Sequence, residues 1–293
     1  MGKRLFLLFV FAFSTVTVFF SCSQETQKTT LAPEETINQF LGRTYGKLDE
    51  THNARIVRAS SSCIGTPEGE IDCEPFRDQS DDYNSDYYMK LQRIDRVGDQ
   101  NAPTDEKYYV LVTGNGASCY ACTGMFGVFV FEWRDGQLEV TASAPHIIHG
   151  SSGEPAASWE LVQLNNADYR GWIARHAGDG RAGYQFKWAE IHAPHDGKIV
   201  PLFELTTAYY YSGPWYQNRP EGKQFPMETD LKMDVHLDTA AENAKVYPLK
   251  ITVSGTVKGK RLEPKTFIIP FDEKEWKYKP SREFEAYAKL MEI

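Results

Sequence analysis

The pair Cys119-x-x-Cys122 is the spacing in this 293-residue chain with the most chemistry open to it. A dithiol at this spacing exchanges disulfides when its first cysteine sits at a helix N-terminus, where the dipole favours the thiolate. It attaches haem when His follows the second cysteine, and it ligates zinc when a second pair completes the set. Here Thr123 follows, then Gly124 and the strand-like run GVFVFEW, and Cys63 and Cys73 are too widely spaced for a second knuckle. A disulfide-closed loop between two strands is the reading these neighbours favour. Of the connectivities open to Cys63, Cys73, Cys119 and Cys122, the local pairing of 63 with 73 and 119 with 122 is preferred. The segment CIGTPEGEIDC is rich in turn formers, and closing it would contribute about 3 kcal/mol in the chain-entropy account.

His146-x-x-His149 and His192-x-x-His195 are the metal candidates, since neutral imidazole is the commonest transition-metal ligand. On a strand, residues three apart point to opposite faces, so each pair chelates only if the chain turns, as Pro145 and Pro194 permit. The acidic stretch Glu68 to Asp86 has oxygen density for calcium, but Tyr87 and Arg93 occupy the places of the EF-hand glycine and bidentate glutamate. It reads as a solvated acidic loop. Tyr209, Tyr211, Trp215 and Tyr216 surround Ser212-Gly213-Pro214 and form the candidate binding surface, since flat rings with polar tips suit a glycan or a protein partner. Nucleophile-elbow, metalloprotease, P-loop and dinucleotide motifs are all missing. His149, Ser151 and Glu154 lie together in a glycine-rich stretch of the kind that forms turn hydrogen bonds. No catalytic set is recognised, and no cofactor is expected.

These residues must be positioned by strands. Runs rich in Val, Ile, Tyr, Phe and Trp predict strands over 87–97, 107–114, 126–134, 137–142, 158–165, 169–177, 184–193, 198–205, 230–238, 247–257 and 264–271. Asp135-Gly136 and Asp196-Gly197 each lie between two such runs, as type I′ hairpins require. Their separation of roughly 60 residues, with similar runs around each, suggests two four-stranded units and a degenerate third. The expected fold is mainly β, with antiparallel meanders packed in a propeller-like or sandwich-like body. Short helices are expected at each end. Pro33-Glu34-Glu35 opens one with Ile37, Phe40 and Leu41 on a face, and Ser281 caps another carrying Phe284, Tyr287 and Leu290 or Met291.

Composition fits an ordinary globular chain, 41% hydrophobic and 25% charged. The net charge of -8 provides no footprint for nucleic acid. At the N-terminus, Lys3 and Arg4 precede the uncharged stretch Leu5 to Phe20. As a helix this would span roughly 24 Å, short of the roughly 30 Å hydrocarbon core, and it suits a signal h-region. Phe19-Phe20-Ser21-Cys22 resembles the lipobox of bacterial lipoproteins. That resemblance implies cleavage after residue 21, acylation of Cys22 with palmitate-type chains, and attachment to a lipid bilayer in the bacterial cell envelope. Residues 22–32 then form a polar tether, 33–204 a β domain holding the two four-stranded units, and 205–293 a third β unit with the C-terminal helix. The location permits disulfides.

The segment from Ala117 through Cys119-Tyr120-Ala121-Cys122 into Gly127-Val128-Phe129, with Gly150-Ser151-Ser152-Gly153-Glu154 and Asp196-Gly197 downstream, resembles a group of uncharacterised bacterial secreted proteins. The likeness spans residues 105–205 and implies an envelope location without an established activity. The expected function is that of an envelope lipoprotein whose β body binds a protein or glycan ligand. The alternative is an envelope thiol-redox or metal-dependent enzyme centred on Cys119 and Cys122.

Overall fold

The computed structural model describes residues 32–60, 64–65, 71–72, 84–99, 105–116, 124–149, 158–179, 184–211 and 229–289; for 58–60, 64, 65, 71, 72, 84, 85, 148, 149, 178, 179, 184 and 211 it describes the backbone alone. Residues 32–293 fall in one compact unit. The chain is mainly β. After helix α1 (Pro33–Tyr45) come β1 (Leu48–Asp49), β2 (Ala54–Ser60), β3 (Ile64–Gly65) and β4 (Ile71–Asp72). Two consecutive antiparallel meanders follow. The first is β5 (Asn84–Val97), β6 (Lys107–Gly116), β7 (Gly124–Arg134) and β8 (Gln137–His149). The second is β9 (Ser158–Gln163), β10 (Arg170–Asp179), β11 (Tyr184–His195) and β12 (Lys198–Tyr211). Then β13 (Thr229–Leu237), β14 (Leu249–Val257) and β15 (Lys260–Ile269) extend the sheet from the end of β12. The short hairpin β16 (Phe271–Asp272) and β17 (Lys277–Tyr278) precedes α2 (Arg282–Ala288).

The strands do not form separate propeller blades. Their hydrogen bonds connect them into one sheet of 13 strands, the meanders meeting at a single parallel bridge between Lys198 and Ser143. Among the described residues, no helix is long and apolar enough to cross a membrane.

Both predicted Asp-Gly turns have the two positive φ values of type I′, with Asp135 at 48° and Gly136 at 73°, and Asp196 at 47° and Gly197 at 80°. A third such turn, Lys258-Gly259 at 49° and 76°, joins β14 to β15. The last strand therefore starts at Lys260 rather than near Pro264, because β15 pairs only with β14 and an edge strand tolerates proline. Helix α1 continues past Gly42 to Tyr45, since Tyr45 extends the buried stripe of Ile37 and Leu41 by one turn. At α2, the Ser281 hydroxyl accepts from the Phe284 amide at 3.2 Å, as a cap should.

Burial explains the composition of the strands. Tyr87, Met89, Val110, Phe129 and Phe131, on one face of the first meander, are covered by Ile37, Leu41 and Tyr45 of α1. The opposite face presents Tyr109, Leu111, Phe126 and Val128 to Trp159, Trp172 and Ala174 of the second meander. With both faces covered, β7 is a continuous apolar run, whose first eight residues are all buried. The other face of the second meander, including Ile173, Ile191 and Leu205, shares a core with Leu231, Ile251, Phe267 and Phe284. Strand β13 is half-solvated as its alternation predicts. Leu231 and Met233 are buried, while Asp234 and His236 are exposed.

Candidate functional site

Two polar features lie where the meanders face each other. The first is enclosed. Register pairs His176 with Trp188, Ala174 with Glu190 and Trp172 with His192, so strand alternation puts His176, Glu190 and His192 on one face. His192 Nε2 lies 2.8 Å from Glu190 Oε2, and His176 Nε2 lies 3.4 Å from the other carboxylate oxygen, with the three side chains 6%, 6% and 1% exposed. Each ring faces a different oxygen of the carboxylate. Aromatic rings close the surroundings. His176 stacks on Trp188 at 4.7 Å, Trp159 lies 5.7 Å from His192, and Phe126 approaches His176 from the first meander. Among the described residues the cluster is enclosed, and it places imidazoles beside a buried carboxylate inside an aromatic layer, where an unpaired one would be costly.

The second feature is open. A cleft of about 350 Å³ lies at one end of the contact between the meanders. The first meander contributes Lys107 and Tyr109 from β6, Val130, Glu132 and Arg134 from β7, and Thr141 and Ala142 from β8. The second contributes Ala167, Asp168 and Tyr169 ahead of β10 and the hairpin residues Pro194 to Gly197. Local chemistry fixes both parts of this wall. The Asn165 carboxamide oxygen accepts from the amides of Ala167 and Tyr169, each at 2.9 Å, which shapes the turn that holds Asp168 at φ 60°. The Tyr169 hydroxyl donates to the Pro194 carbonyl at 2.7 Å, and the Ser143 amide donates to the Gly197 carbonyl at 3.3 Å. Behind the hairpin, His195 stacks on Trp276 at 3.9 Å, and Lys245 Nζ lies over the Trp276 ring, 4.9 Å from its centroid.

Most charges around the cleft are already paired. Lys107 Nζ lies 3.0 Å from Glu132, Arg170 donates to Asp168 at 2.7 Å, and His195 Nε2 lies 3.3 Å from Asp196. Arg134 is exposed at the mouth and makes no ion pair among the described residues. Tyr109 lines the cleft and is 3% exposed. Burial pushes that phenol well above its ordinary range, and the nearby Asp168 carboxylate pushes it further. Burial also pushes Tyr169 up to about 12. Both tyrosines are thus neutral at physiological pH.

Of the histidines proposed as metal ligands, His192 and His195 do not share a site. His192 belongs to the enclosed cluster and His195 to the cleft, as expected for strand residues three apart. His146 meets the Tyr45 ring edge-on at 5.7 Å, and only the backbone of His149 is described. Among the described residues, no group of three or more His, Cys, Asp or Glu side chains could hold a metal ion. Of the aromatic candidates, Tyr209 is buried, and it lines a separate pocket of about 260 Å³ with Tyr210, Lys187 and Lys232. Tyr211 pairs with Tyr184 through the backbone, while Trp215 and Tyr216 lie outside the described residues. So do Cys22, Cys63, Cys73, Cys119 and Cys122, and with them the signal and lipobox.

No family model, curated protein or solved structure matches this chain.

Proposed function

We propose that this protein is a membrane-anchored envelope lipoprotein whose β body is a ligand-binding module, with the cleft between the meanders as its binding site. The anchor rests on the sequence alone: the basic start, the uncharged stretch and Cys22 after Ser21. Two or more acyl chains on such a cysteine give stable attachment, where a single chain gives marginal binding. The observation that carries the binding reading is the cleft itself, about 350 Å³ and open to solvent, with donors and acceptors from both meanders, Tyr109 among them, converging on it. The tied turn and hairpin keep the wall fixed before a ligand arrives, so little is lost to ordering on binding.

A thermal-shift screen of the full-length protein against small polar compounds tests the reading. At least one compound raises the melting temperature of the wild type and leaves Ala167→Trp unchanged, because an indole at this exposed lining position occupies the cleft without entering the core. If no compound stabilises the wild type, or if every stabiliser acts equally on Ala167→Trp, the reading is wrong.

A further inference from the structure

We infer that the ligand of the cleft is a neutral, polyhydroxylated ring compound, a saccharide unit without formal charge. This rests on the reading of the cleft as a binding site and specifies what fills it.

The ion pairs argue for the ligand's neutrality. Glu132 and Asp168 each have a cationic partner in place, through Lys107 and Arg170, and Asp196 lies beside the His195 ring. At these pairs a charged ligand would compete with the member of its own sign and leave that member without its partner, whereas Arg134 alone could take an anion without such an exchange. A hydroxyl is both donor and acceptor, so it can donate to a carboxylate and accept from the neighbouring cation while the pair stays formed. The floor has the same character, since a neutral phenol such as Tyr109 can also donate and accept.

The remaining lining suits the alternating polar edge and C–H face of a sugar ring. Half-buried Pro194 offers apolar surface beside the charged pairs, and the half-buried Tyr169 ring adds a flat aromatic one. The volume of about 350 Å³ is at the small end for ligand sites and limits the occupant to one or two rings. Arg134 supplies the opposing pull, toward an anion, from the solvent-facing mouth. A test must therefore compare the same ring with and without charge.

Ligand-observed saturation-transfer NMR on the full-length protein uses the methyl glycosides of glucose, galactose and mannose, with maltose and cellobiose. Glucuronate and glucosamine provide the charged counterparts. At least one neutral sugar binds more tightly than the charged forms, and Tyr109→Phe weakens it about fivefold, as expected for the loss of one hydrogen bond. Asp196→Asn, at a side chain 88% exposed, weakens it without risk to folding. Tighter binding of glucuronate or glucosamine that is still sensitive to Tyr109→Phe would overturn the ligand class and leave the cleft as a binding site. Failure of every sugar to bind overturns the class as well. Neutral-sugar binding unmoved by both substitutions places the site elsewhere and overturns class and cleft together.

Discussion

Glu190 is held by imidazoles from two adjacent strands inside an aromatic layer, and that arrangement decides how its loss is felt. Glu190→Ala removes the acceptor and leaves two buried rings without it. The expected cost is about 1–3 kcal/mol in urea unfolding at neutral pH, as for buried polar groups left without a partner, and a smaller loss is expected when all three residues are replaced by apolar ones of similar size. A cost below about 1 kcal/mol for Glu190→Ala would mean that the cluster is not an energetic unit. Half of this cluster was legible in the sequence. Glu190-x-His192 has the period-2 spacing that places both side chains on one face of a strand, whereas the metal reading compared residues three apart. His176 comes from the neighbouring strand by register, which no local spacing encodes. The buried tyrosines set a second residue-scale behaviour. Tyr45, Tyr109 and Tyr278 are all raised by burial, so the folded state keeps protons that the unfolded chain releases above pH ~10. Their contribution is complete below that value and is lost as pH rises further. Phenolate absorbance should therefore lag behind that of the urea-unfolded chain and rise together with the loss of β-sheet circular dichroism; full titration of the native fold near pH 10 would contradict this.

At the scale of elements, alternation and turn chemistry predicted the strands of both meanders and two hairpins, because those signals are local. Lys258-Gly259 escaped notice since lysine is not a turn former, and the apolar run before it gave no sign that the next strand begins at once. The close approach at Gly255 is likewise invisible locally. A Cβ there would lie 2.0 Å from the Asp230 carbonyl oxygen, at a backbone φ of 125°. Gly255→Ala should cost about 2–3 kcal/mol by strain and overpacking, with faster amide exchange in β13 and β14. Unchanged stability would show that the two strands can separate there without penalty. Ser281→Ala tests the C-terminal cap. The expected loss is about 1 kcal/mol in thermal or chemical unfolding, and no loss would mean that Phe284 packing alone holds α2.

For the whole molecule, the order of layers follows from which strands are apolar on both faces. The continuous apolar character of β7 implies cover on each side, and α1 and the second meander provide it. How the units meet was not legible, because one parallel bridge at Ser143 and Lys198 decides it. The cleft escaped the sequence for the same reason. Its lining comes from five separated segments, and its key side chain, Tyr109, looks like any strand tyrosine. The proposed anchor is testable independently of the cleft: Cys22→Ser should move the protein from the membrane fraction to the soluble one, and retention on membranes would refute acylation as the anchor. The binding account is tested most directly by hydrogen-exchange mass spectrometry on the full-length protein, with and without the neutral glycoside that gives the strongest saturation-transfer signal. Protection is expected together at 107–110, 130–134, 167–170 and 194–198. Protection confined to 208–211 and 229–232, or no change at all, would contradict the assignment of the cleft.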